Sequence, residues 1–243
     1  MALACSALIK SLAALCFPPR CLSCNTSLPG NTELLFCTAC LAAIDFIRAP
    51  LCPICGRPFP DAVGSSHPCG NCLTNPPHFN TARAVAHYCG PLADAIHGFK
   101  YSGRTFGLAT FALLARQLAP PPAMVADCIL PVPLHPQRLR QRGFNQALLL
   151  ARALFPDQQR LIDAELLVRS RWTEPQTTLS GEARRRNLNN AFAVTDPARI
   201  KGRNVLLVDD VFTTGSTVNE CARCLRKAGS NAVHILTLAR VKE

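Results

Sequence analysis

A chain of 243 residues has room for one large or two modest domains, and 49% apolar residues supports a real core. No apolar run reaches about 18 residues, so no membrane-spanning helix is expected. The net charge of +11 favours an anionic partner, and a strongly charged small ligand satisfies it as well as nucleic acid does.

Met1 to Pro19 is apolar, but Lys10 interrupts it and no charged segment precedes it. Leu-Ala-Ala-Leu-Cys16 is a poor lipoprotein cleavage box, so export is not expected. Ala4 to Leu15 reads as a short amphipathic helix packing on its own protein through Leu8, Leu12 and Leu15. The expected compartment is the cytoplasm, where thiols stay reduced and bind metal. Residues 1–19 are assigned to this N-terminal helix and 20–75 to a cysteine-rich module.

Eight of the 14 cysteines form four Cys-x-x-Cys knuckles, Cys21/Cys24, Cys37/Cys40, Cys52/Cys55 and Cys69/Cys72, separated by 12, 11 and 13 residues. Each knuckle sets two thiolates on one side of a metal, and a second completes the tetrahedron of a structural zinc site. Sequential pairing is the simplest arrangement; a cross-braced one, first with third and second with fourth, also fits. With few large apolar residues between the knuckles, so small a segment needs metal to fold. Cys221 and Cys224 repeat the spacing inside a helix, where a buried small-residue role fits better than a third metal site.

Leu73 to Asn80, rich in Pro and Asn, reads as a linker to a second domain at 81–243. Strands are expected at Ala82–Tyr88, Asp127–Pro131, Leu166–Arg169, Phe192–Val194, Asn204–Val208 and Ala232–Leu238. Helices are expected at Leu92–Lys100, Phe106–Leu118, Gln146–Leu154 and Thr217–Ala228, the last stopped by Gly229. This alternation implies an α/β fold built on a parallel sheet.

The sharpest signal is Val205-Leu-Leu-Val-Asp-Asp-Val-Phe-Thr-Thr-Gly-Ser-Thr217. An apolar run suits a central strand, and Asp209 and Asp210 follow at its carboxyl end, where open α/β sheets bind ligands. Adjacent carboxylates suit the cis-diol of a ribose and can help hold magnesium. Thr213, Thr214, Gly215, Ser216 and Thr217 offer hydroxyls and backbone N–H groups at a helix start, the chemistry of a phosphate cradle. Gly215 permits positive φ there.

Two further segments carry positive charge. Pro131 to Gln146 is read as a basic loop leading into a helix that Asn145 caps, with Arg138, Arg140 and Arg142 as forked donors to phosphate oxygens. Gln176 to Asn187, with Arg184, Arg185 and Arg186, suits a mobile lid that excludes water. Lys100, in Lys100-Tyr-Ser-Gly-Arg104, belongs to a weaker basic turn.

The acidic pair and its hydroxyl-rich turn resemble the phosphoribosyl-pyrophosphate (PRPP) fingerprint of type I phosphoribosyltransferases. With the four knuckles, Phe99-Lys-Tyr-Ser-Gly103, Pro131-Val-Pro-Leu-His135, Arg142-Gly-Phe-Asn-Gln146 and Arg186-Asn-Leu-Asn-Asn-Ala-Phe192, nearly the whole chain resembles the ComF/GntX family. The resemblance implies a double zinc ribbon fused to a phosphoribosyltransferase domain, two structural zinc ions, and a link to DNA uptake and use. It implies that Asp209 and Asp210 contact the ribose, that the turn binds the 5′-phosphate, and that Arg138 and Arg142 face pyrophosphate. Two readings follow: an enzyme acting on Mg-PRPP, or an adaptor whose ribbons dock a DNA-translocating helicase and whose basic segments track single-stranded DNA. Aromatic residues make up only 6% of the chain, so base-stacking platforms are scarce, which weighs against the second.

Overall fold

The computed structural model describes residues 18–30, 32–59, 64–101, 103, 105–116, 126–171 and 190–242. In chain order, the cysteine-rich module holds the short helices α1 (Thr38–Ala42) and α2 (Gly70–Thr74). Strand β1 (Thr81–His87) opens the second part and leads to α3 (Gly90–Tyr101) and α4 (Leu108–Ala115). Then come β2 (Cys128–Pro131), α5 (Pro136–Arg142), α6 (Gln146–Leu154), β3 (Leu167–Arg169) and β4 (Phe192–Val194). The chain closes with β5 (Asn204–Phe212), α7 (Ser216–Lys227) and β6 (Ala232–Arg240).

Four strands form one parallel sheet in the order β1-β6-β5-β2. Val205, Leu206, Leu207 and Val208 of β5 are fully buried because both faces of the sheet are covered. Their side chains alternate between two cores. Val205 and Leu207 meet Val218, Cys221 and Leu225 of α7. Leu206 and Val208 meet Leu92, Ile96 and Phe99 of α3, Phe111 of α4 and Leu150 of α6.

The cysteine module protects the β1 edge, which an open sheet would leave as unpaired N–H and C=O groups. Ala82 N donates to Ile54 O, Ile47 N to Val85 O and His87 N to Asp45 O, at 2.6, 3.0 and 2.8 Å. Gly56 lies against this edge with φ +71°, and a Cβ there would sit 2.3 Å from Ala82 O, so only glycine allows the approach. Leu73 to Asn80 is pinned along its length rather than free. His78 N donates to Asn219 Oδ1 at 2.7 Å, Asn80 N to Val233 O at 2.7 Å, and Phe79 is buried.

Several expectations need correction. The strand carrying the acids runs on to Phe212, so Asp209 and Asp210 lie within β5 and the turn begins at Thr213. The stretch read as a basic loop contains α5, whose Arg- and Gln-rich surface gives no apolar period. Its signals were local: His135 caps Gln137 N, Pro136 is the first residue, and Gly143 closes it at φ +79°. β3 and β4 do not join the parallel sheet; they pair with each other, antiparallel, as a separate ribbon. The helix expected at Phe106–Leu118 is a 3-10 turn, Thr105–Gly107, followed by α4. Ala4–Leu15 and the Gln176–Asn187 segment lie outside the described residues. Among the described residues no helix is long and apolar enough to cross a membrane.

Candidate functional site

The carboxyl edge of the sheet opens into a cavity of about 700 Å³. Its walls include Asp209 and Asp210 from β5, Thr213 from the turn after it, Thr217 from the start of α7, Lys100 from α3, and Arg138 and Arg142 from α5. Seven residues picked out from three separate stretches of sequence thus face one space. Arg138 and Arg142 share a helical face at the i, i+4 spacing, while Arg140 is exposed and is not among the cavity-lining residues. Arg184 lies outside the described residues.

The acids are not equivalent. Asp210 is buried and holds Lys100 Nζ at 2.9 Å from its Oδ1. Burial opposes the Lys100 charge, but Asp210 and then Asp209 outweigh it and hold the ammonium above its ordinary range. Asp209 accepts the Asp210 backbone N–H on Oδ1 at 2.9 Å. Burial, and then the like charge of Asp210, push Asp209 up to about 7, against the pull of Lys100. One carboxylate is therefore neutralised by a fixed cation, and the other titrates near neutrality.

The turn after β5 divides its residues. Thr213 and Thr217 face this cavity, whereas Thr214, Gly215 and Ser216 face an adjoining one of about 680 Å³ beside Cys55 and Cys72. Thr214 Oγ1 and Ser216 Oγ bond each other at 2.8 Å. Gly215 has φ +73°, and a Cβ there would fall 2.5 Å from Cζ of Phe212. The tight left-handed turn that starts α7 therefore requires glycine.

Sequence reasoning missed Arg169, which reaches the cavity from β3. Burial, then the nearby Arg138, depress its pKa; burial, then Arg142, depress that of Arg138. Guanidiniums crowded in this way stay charged and favour an anion between them. A single Arg at the end of a three-residue strand carried no signal of this placement. Gln146 also lines the cavity, though it had been read only as part of a motif.

The knuckles pair sequentially. Cys21, Cys24, Cys37 and Cys40 form one group and Cys52, Cys55, Cys69 and Cys72 the other, with all sulfurs of a group within 4.8 Å of one another. Cys24 Sγ lies 3.7 Å from Cys37 Sγ, and Cys55 Sγ 3.7 Å from Cys69 Sγ. Tetrahedral zinc with Zn–S bonds of about 2.3 Å requires sulfur separations of about 3.8 Å, so both groups fit it. Thr26 pulls Cys24 down to about 6 through its side chain and backbone. Burial, then the Cys37 sulfur, push Cys40 up to about 12. Such a division between thiolate and thiol is what a divalent ion would abolish by displacing the remaining protons. Cys221 instead is buried in the core from its place on α7, and Cys224 packs against that core from the same helix.

Fold and site together define a phosphoribosyltransferase-type α/β domain joined to a pair of zinc-ribbon sites. Residues 12–73 match the family model described as a double zinc ribbon domain, and residues 147–243 that described as a phosphoribosyl transferase domain. The chain is 39% identical over 211 residues to the DNA utilization protein YhgH of Escherichia coli K12, covering 84% of this chain and 89% of that protein. It is 32% identical to Competence protein F of Haemophilus influenzae, over 91% of this chain and 96% of the relative. It is 30% identical to Competence protein ComFC of Bacillus subtilis, over 84% and 83%. The chain belongs to the ComF/GntX family. Among solved structures, glutamine PRPP amidotransferase from B. subtilis aligns with a TM-score of 0.34 at 19% identity, over 55% of this chain and 25% of that one, a likeness too slight to add weight.

Two outcomes follow. Elemental analysis of the purified protein should find two zinc ions per chain, and Cys72→Ser should lower this to one. Asp209, with its pKa raised on folding, contributes full stability below the unfolded value of about 4 and loses it as pH rises through about 7. In urea denaturation, Asp209→Asn should match the wild type near pH 4 and exceed it at pH 8, by about 1 kcal/mol after allowance for solvent screening.

Proposed function

We propose that this protein binds PRPP with magnesium and transfers its phosphoribosyl group, with loss of pyrophosphate, to a nucleophile. The observation that carries the reading is that two adjacent carboxylates, the hydroxyls of Thr213 and Thr217 and four cationic side chains line one cavity.

In this reading the 5′-phosphate sits at the turn, held by Thr213 and Thr217 and by backbone N–H groups at the start of α7, whose dipole favours an anion. Asp209 and Asp210 accept the ribose hydroxyls and face the positive charge that develops on the ring. Arg138, Arg142 and Arg169 face the pyrophosphate. The bond from C1′ to the pyrophosphate oxygen breaks with its electron pair going to the leaving group; the nucleophile forms the new bond and gives up a proton. Catalysis consists of positioning and charge stabilisation in a largely dissociative transition state. Asp209 and Asp210 would hold magnesium through their carboxylate oxygens, and the ion would supply neutralisation of the departing charge.

Lys100, 2.9 Å from Asp210, holds that carboxylate in place for this task. The domain divisions 1–19, 20–75 and 81–243 fit a metal-stapled module clamped beside a transferase domain. The relatives' names connect them with DNA utilization and competence, and we place the activity in that setting, with a DNA-uptake helicase as the partner class.

Calorimetry tests the reading. Wild-type protein should bind Mg-PRPP, and the double variant Asp209→Ala with Asp210→Ala should lose at least about a hundredfold in affinity, as loss of two charge-assisted contacts implies. Equal affinity in the variant refutes the reading, and salt-sensitive DNA binding that PRPP does not compete for would favour an adaptor.

A further inference from the structure

The cavity wall also carries a buried amide side chain. Gln146 is the first residue of α6, only 2% exposed, and lines the cavity. Its Nε2 is buried and has no hydrogen-bond partner. The contrast with Asn145 is informative. Asn145 Oδ1 accepts from Ala147 N at 2.9 Å and Leu148 N at 3.4 Å, and its Nδ2 donates to Val132 O at 3.2 Å. Asn145 thus caps the helix and anchors it to the end of β2, so α6 needs nothing structural from the amide of Gln146.

An unpaired buried donor costs free energy, and an apolar side chain of the same size would remove that cost. A leucine here would also extend the apolar packing that Ala147 and Leu150 already provide. A donor kept at such a position has a natural partner in a ligand atom. The nature of that atom follows from the surroundings. The nine-residue helix α6 directs the positive end of its dipole toward this wall. Arg138, Arg142 and Arg169 line the same cavity, so the matching group is an anionic oxygen. The 5′-phosphate has its own cradle at the turn after β5, which leaves a second anionic group of the ligand for this wall.

We propose that Gln146 is a specificity-determining residue that donates from Nε2 to an oxygen of the pyrophosphate at C1′, so that the site distinguishes PRPP from ribose 5-phosphate. The inference rests on the phosphoribosyl reading above and deepens it. A site that buries a donor for one oxygen rejects analogues lacking that oxygen, because the donor is then left unpaired.

The test pairs ligand-free stability with binding. Gln146→Leu and the unbranched Gln146→Met are compared with wild type by thermal unfolding, and by calorimetry with Mg-PRPP and with ribose 5-phosphate. The expected result is a melting temperature equal to or above wild type for at least one variant. Its affinity for Mg-PRPP should fall by about tenfold to a hundredfold, the range for a hydrogen bond to a charged group. Affinity for ribose 5-phosphate should stay within about twofold, since that ligand never meets the amide. A purely structural glutamine would give the opposite pattern: both variants destabilised. That result, or equal weakening toward both ligands, overturns the proposal. Wild-type binding with unchanged variant affinity overturns it alone, whereas a wild type that binds neither ligand overturns the parent reading and this inference together.

Discussion

The ion pair between Lys100 and Asp210 sets the terms for everything at the mouth of the sheet. Two carboxylates on consecutive residues of a buried strand repel each other, and burial adds to the penalty on the Asp209 charge. A cation from α3 stands 2.9 Å from Asp210 and offsets that repulsion. Asp209 then carries the strain, with its pKa raised to about 7. Because α3 packs on the same sheet face through Leu92, Ile96 and Phe99, the cation is delivered by the core itself and not by a loose side chain. The cavity thus brings Asp209 and Asp210 together with Lys100, Arg138, Arg142 and Arg169.

The cysteine module is more than an appendage. Beyond covering β1, it reaches the phosphate turn by a short physical route. Arg240 of β6 donates to Cys55 O at 2.6 Å, and its guanidinium lies 4.5 Å from the centre of the Phe212 ring. That ring sits directly under Gly215. Phe79, from the segment joining the two parts, meets the same ring edge-on at 6.2 Å. The second tetrad is thus linked to the turn through one arginine and two phenylalanines.

The parts legible in the sequence were those written in short, chemically loaded strings. Val205–Val208 could only be a doubly covered strand, the four knuckles could only serve a metal or a redox role, and Asn145 and Gly229 marked helix ends by their own chemistry. What escaped was set by tertiary placement. The antiparallel pairing of β3 with β4 is a relation between two three-residue segments, and neither carries a register signal. α5 was hidden because a helix with one leucine among arginines and glutamines has no apolar stripe. Arg169 and the unpaired amide of Gln146 became visible only once the strands and α6 were in place. The division of the turn between two cavities follows from the tight left-handed bend at Gly215, which composition shows as permissible but not as directed.

The most direct measurement is a crystal structure of the protein soaked with ribose 5-phosphate. The account predicts density for the phosphate against Thr213, Thr217 and the first backbone amides of α7, with the sugar hydroxyls reaching the acidic pair of β5. Density for the ligand elsewhere on the molecule, with that edge of the sheet left to solvent, would contradict it.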